Sequence, residues 1–139
     1  MNHFVLDASV ALSIIFEDEA SPYADAVAAM LKRDQAVVPL VWPLEITNAL
    51  LTAVRRGRIP ATDAPLLVGI FDRLRIEFDS GIAPEFLART ALSLGIAYRV
   101  SAYDATYLEV AIRRGLPLAT QDVRLAEAAT SAGVDILNP

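Results

Sequence analysis

A three-layer α/β/α domain on a central parallel sheet is the fold this sequence predicts. Two observations lead there. Short β-like apolar runs alternate with longer helical patterns along the whole chain, and the first and last clear runs each lead through a carboxylate into a helix. Strands that alternate with helices make parallel sheets covered on both faces. At 139 residues the chain has the length of one domain, residues 1–139, with no repeat, low-complexity tract or linker to divide it.

Taken in order, "HFVL" (3–6) reads as the first strand, and "ASVALSIIF" (8–16) and "SPYADAVAAMLKR" (21–33) as helices. The acidic "EDE" at 17–19 between them reads as a solvated loop. "AVVP" (36–39) is the second strand. "WPLEITNALLTAVRRG" (42–57) is an amphipathic helix, with Pro43 suited to its first turn and Gly57 to its end. "DAPLLVGIFDRLR" (63–75) is a further helix and "IEF" (76–78) a short strand. Two helices, "PEFLARTALSLG" (84–95) and "SAYDATYLEVAIRRG" (101–115), precede the strand "LPLAT" (116–120). "DVRLAEAATSAG" (122–133) is the last helix and "VDIL" (134–137) a terminal strand.

Composition narrows the chemistry by exclusion. With no cysteine there is no disulfide, thiolate zinc site or cysteine nucleophile, and a single histidine, His3, makes a histidine-pair ribonuclease or a His/Asp/Ser triad hard to assemble. Lys32 is the only lysine and is followed by Arg33, so there is no phosphate-binding GK[ST] loop. Acids outnumber bases, 17 to 12, for a formal charge of −5. Nucleic acid is therefore not attracted in bulk, and binding it requires local basic patches or bridging cations. The apolar runs fall short of the ~18 residues that span a bilayer. The first residues lack the pattern of a secretion signal, so a cytoplasmic location with no membrane partner is expected. Hydrophobic residues make up 55% of the chain, an excess that hints at a further buried interface.

Four acids stand outside plainly polar surroundings: Asp7, Glu45, Asp104 and Asp122. Each has a structural explanation. Asp7 and Asp122 precede helices and suit N-caps. Glu45 lies in a first helical turn, where it favours the dipole. "SAYD" around Asp104 has the form of a capping box. Their placement nevertheless unites them. Asp7 and Asp122 follow strands on the carboxyl side, where open parallel sheets bind ligands at a topological switch point, and the helix starts of Glu45 and Asp104 can open onto the same edge. Asn48 shares a helix face with Glu45, while Ser9 and Thr120 put hydroxyls beside the first and last acids. Gathered carboxylates raise one another's pKa unless a cation neutralises them. An all-oxygen donor set suits Mg²⁺ or Mn²⁺ rather than zinc.

"VLDASVAL", "PLEITNAL", "SAYDATYLEVAIRRGLPLAT" and "TQDVRL" together resemble the PIN-domain ribonucleases, in particular the VapC-type toxins of type II toxin–antitoxin pairs. The resemblance spans nearly the whole chain. It implies a PIN-like fold, with Asp7, Glu45, Asp104 and Asp122 as catalytic metal-binding acids and Ser9, Asn48 and Thr120 in support. It also implies Mg²⁺- or Mn²⁺-dependent endonucleolytic cleavage of RNA, commonly transfer or ribosomal RNA, by attack of a metal-activated water. A homodimer and a cognate antitoxin that covers the site complete the implied picture. The arginines of "RRGR" at 55–58 and of "RR" at 113–114 could track an RNA backbone or simply face helix dipoles. Tyr103 and Tyr107 could stack on bases or belong to the core. Two rivals differ in kind. A phosphoaspartyl enzyme requires a lysine at the site and, in one type, an acid where Ser9 stands. A non-catalytic PIN-like module would bind RNA or protein without cutting.

Overall fold

The computed structural model describes all 139 residues. Four strands form the sheet: β1 (His3–Leu6), β2 (Gln35–Val38), β3 (Ile76–Phe78) and β4 (Leu118–Ala119). Seven helices connect or follow them: α1 (Ala8–Ile15), α2 (Pro22–Met30), α3 (Trp42–Arg55), α4 (Ala64–Phe71), α5 (Pro84–Tyr98), α6 (Ala102–Arg114) and α7 (Val123–Ser131). The sheet order is β3-β2-β1-β4 and every pairing is parallel. From β1 the chain steps to β2 and β3 in one direction, then returns past its origin to β4. Crossovers between parallel strands are right-handed, so reversing the direction of travel moves the connecting helices to the opposite face. α1 to α4 therefore cover one side, where α1 packs on α2 and α3, and α5 and α6 cover the other, where α6 lies on β1. These are the three expected layers. No helix is long and apolar enough to cross a membrane.

Burial explains why β1 and β2 read as continuous apolar runs. Phe4, Val5 and Leu6 and the facing Ala36, Val37 and Val38 are fully buried, since helices close both sheet faces. On the α3 side, Trp42 packs edge-to-face on Phe71 with ring centroids 5.0 Å apart.

Three local expectations need correction. "VDIL" does not form a strand of its own. It is held to β4 by one parallel bridge, Leu118 to Ile136, because β4 itself has only two residues after Pro117, which carries no N–H. Residues 17–19 form a 3-10 turn rather than a loop. Gly95 does not end α5. The helix continues to Tyr98 and is stopped by Arg99 in the left-handed conformation, φ 57°; at Gly95 the reversing chain brings the Val100 carbonyl close, and a Cβ there would make a tight 3.1 Å contact with it.

Candidate active site

The strand order reverses between β1 and β4, and the two strands pair in register with Leu6 opposite Ala119. Asp7 and Thr120 are the next residues along. The Thr120 hydroxyl donates to Asp7 Oδ2 at 2.8 Å and the Ser9 hydroxyl to the same oxygen at 2.6 Å. Asp7 also caps α1, with Oδ1 accepting weakly from the Ser9 N–H at 3.4 Å. Capping and site placement thus coexist in one residue. Asp7 is buried, and its two hydroxyl donors fix its orientation without neutralising its charge.

Asp122 is the exposed N-cap of α7. Its Oδ1 accepts from Leu125 N–H at 3.0 Å, and its own N–H donates to the Thr120 hydroxyl. Thr120 therefore bridges the first and last acids. Glu45 lies in the first turn of α3 and Asp104 in the first turn of α6. The "SAYD" box is half formed: Ser101 Oγ accepts from Asp104 N–H at 3.1 Å, but the Asp104 carboxylate accepts no hydrogen bond.

Electrostatics ties these four carboxylates to one region. Partial burial and then the charges of Asp7 and Asp122 push the Asp104 carboxyl up to about 6. Glu45 is raised too, first by burial, against the hydrogen bond from Tyr107, and then by Asp7 and Asp104. No arginine or lysine is within ion-pair distance of any of the four. As the side chains stand, however, no three acids converge tightly enough to hold an ion. That corrects the expectation of a tight cluster. The donor set itself, carboxylate and hydroxyl oxygens only, fits a hard cation such as Mg²⁺ or Mn²⁺.

Asp79 provides an internal contrast. It too follows a strand, β3, and is buried, but it sits against Arg113 and Arg114, and Arg113 also binds Glu109 at 2.6 Å. Burial works against ionisation of Asp79, yet the Arg113 hydrogen bond, the Gly81 N–H and the Arg113 charge hold its carboxyl below the usual range. A buried strand-end acid with a structural role is paired in this fold, and the four acids at the switch point are not.

Other sequence expectations sort clearly. Asn48 is exposed on the same side of α3 as Glu45 and, with Tyr103, lines a shallow pocket; it makes no hydrogen bond to the acids. Arg113 and Arg114 stand in the last turn of α6, as the dipole reading has it, and are also committed to Glu77, Asp79 and Glu109, which leaves neither free to track an RNA backbone. Arg58 pairs with Asp18 and Glu19 and stacks 4.1 Å over Phe16. Tyr103 is exposed. Tyr107 is fully buried, and its hydroxyl donates to Glu45 Oε1 at 2.7 Å and accepts from Ala8 N–H at 3.3 Å. This link between the start of α1 and Glu45 was missed in the sequence. The available signal was a tyrosine three residues after Asp104 at a core position, where a buried hydroxyl must find a partner.

The PIN domain family model matches residues 4–130. The chain belongs to the PIN-domain family. Among solved structures, this PIN domain is similar to PAE2754 from Pyrobaculum aerophilum, with 23% identity and a TM-score of 0.67 over 91% of this chain and 79% of that one. It is also similar to VapBC2 from Rickettsia felis, solved bound to a DNA fragment from its promoter (12% identity, TM-score 0.66, 99% and 98% covered). FitAcB from Neisseria gonorrhoeae is a third PIN-fold neighbour (18% identity, TM-score 0.57, 98% and 97% covered). No curated protein matches the chain by sequence. PIN domains are generally nucleases, and the fold and the unpaired acids at its switch point agree with that chemistry.

Proposed function

We propose that this PIN domain is a Mg²⁺- or Mn²⁺-dependent endoribonuclease, the toxin half of a toxin–antitoxin pair. The observation that carries the reading is the set of four unpaired carboxylates from four separate elements. Partial burial, and then the charges of their neighbours, lift Asp104 and Glu45, and no cation of the protein answers them. A bound divalent ion would supply the missing positive charge and lower the pKa of a water it holds. Asp7 would hold the ion as an oriented ligand, steadied by Ser9 and Thr120. Asp104, free of hydrogen bonds, is available to turn toward it. Glu45 is aimed by Tyr107, and Asp122 closes the other side from the start of α7.

The toxin role draws on the sequence resemblance and on the toxin–antitoxin character of the VapBC and FitAB neighbours. Exposed apolar side chains, among them Leu44, Leu51, Leu66, Phe86, Leu92 and Ile96, suit both an antitoxin and a second copy of the chain. Purified, antitoxin-free protein incubated with a mixed RNA pool should cut it with Mg²⁺ or Mn²⁺ and not with EDTA, and Asp104→Asn should abolish cutting while remaining folded. No cleavage by the wild type with either metal would instead favour a non-catalytic PIN module.

A further inference from the structure

Four arginines are neutralised by neighbouring acids: Arg33, Arg58, Arg113 and Arg114. Arg99 and Arg124 are not, and both line a cleft of about 580 Å³ between the end of α5 and α7, with Tyr98, Glu127 and Ser131. Glu127 stands one turn beyond Arg124 without pairing to it, so the cleft has a net positive lining inside an acidic protein.

Arg99 is placed there at a cost. It is the only non-glycine residue with positive φ; Gly57, Gly115 and Gly133 hold the other left-handed positions. That is the usual left-handed stop of a helix, a position glycine would take with less strain. Both arginines stand close along the chain to elements that carry the acids. Arg99 is two residues before Ser101, the cap of the helix carrying Asp104, and Arg124 is two residues after Asp122; at 3.8 Å per Cα step each lies within about 8 Å of those anchors along the backbone. Guanidinium groups bind phosphate bidentately.

We propose that Arg99 and Arg124 form a phosphate-binding subsite that grips the backbone of single-stranded RNA beside the carboxylates. The proposal rests on the nuclease reading and adds to it where the substrate strand runs: past the end of α5 and along α7. The acids repel the strand, and these two arginines are what hold it at the site.

The test is binding of a fluorescein-labelled oligouridylate by anisotropy in EDTA, at several NaCl concentrations. Arg99→Gly and Arg124→Ala should each weaken binding roughly tenfold. Each should also make the log–log salt dependence shallower by about 0.7, the increment for one phosphate contact on a single strand. Arg73→Ala, which removes an exposed, unpaired charge beyond α4, should leave both unchanged. Arg99→Gly should melt at or above the wild-type temperature, because glycine relieves the left-handed strain; this separates lost binding from lost structure. Wild-type affinity and salt slope in Arg99→Gly and Arg124→Ala, or an equal loss in Arg73→Ala, overturns the subsite. Cleavage of a mixed RNA pool in Mg²⁺, run in parallel, keeps the two readings apart. Arginine-dependent binding without cleavage retains the subsite and defeats the nuclease. Cleavage with arginine-independent binding does the reverse.

Discussion

Replacing Asp104 by asparagine should make the metal-free protein more stable. In the folded chain burial, then Asp7 and Asp122, raise this carboxyl from 3.8 to about 6. Below pH ~3.8 the group is protonated in both states. Between ~3.8 and ~6 the unfolded chain releases the proton while the folded chain keeps it, so stability falls with rising pH across that window and stays low above it. The gap corresponds to roughly 3 kcal/mol, but Asp104 is only half-buried, and solvent screening reduces this to about 1–1.5 kcal/mol. In a domain of this size that is roughly 3–6 °C in melting temperature. Thermal melts followed by circular dichroism in EDTA at pH 8 should show Asp104→Asn above the wild type by that amount, with the difference closing near pH 4. Excess Mg²⁺ should reverse the order, since an ion bound only by the folded wild type stabilises it by mass action. A mutant that melts at or below the wild type in EDTA at pH 8 would refute the claim that burial and the neighbouring carboxylates make the ionised Asp104 destabilising.

Tyr107→Phe removes the hydroxyl that serves both Glu45 and the Ala8 N–H. It should cost about 1–2 kcal/mol in urea unfolding and reduce the stabilisation that Mg²⁺ confers; unchanged values for both would deny the tyrosine any role in aiming Glu45. Arg113→Ala leaves Asp79 and Glu109 buried with only Arg114 nearby and should cost about 3 kcal/mol at pH 7. Because the Asp79 carboxyl is held low in the fold, that contribution is full above the unfolded value and is lost as the pH falls through the lowered folded one. The gap between wild type and mutant should therefore narrow toward pH 3, and a loss below about 1 kcal/mol at pH 7 would contradict the network.

The layered fold was legible because its signals are local. Strands buried on both faces must be apolar throughout, as "FVL" and "AVV" are, and Pro and Gly at the ends of α3 mark its limits. The misread places are those where tertiary contact overrides local preference. α5 runs through Gly95, which lies against the returning Val100 carbonyl, and ends instead on the left-handed Arg99. The terminal segment keeps only one bridge because β4 offers it almost no free edge. Arg113 and Arg114 read as ordinary last-turn cations, and the acids that tie them to the sheet, Glu77 on β3 and Asp79 just after it, lie more than thirty positions away.

The sequence by itself determined which carboxylates were available and that each begins or adjoins a helix, since caps and strand ends are set by a few neighbouring residues. Only the tertiary structure decided that β4 lies beside β1, which brings Thr120 onto Asp7 across 113 positions and lets the acids feel one another's charge. It also decided which arginines are spent on ion pairs and which stay free, because pairing depends on distances through space that no local pattern encodes.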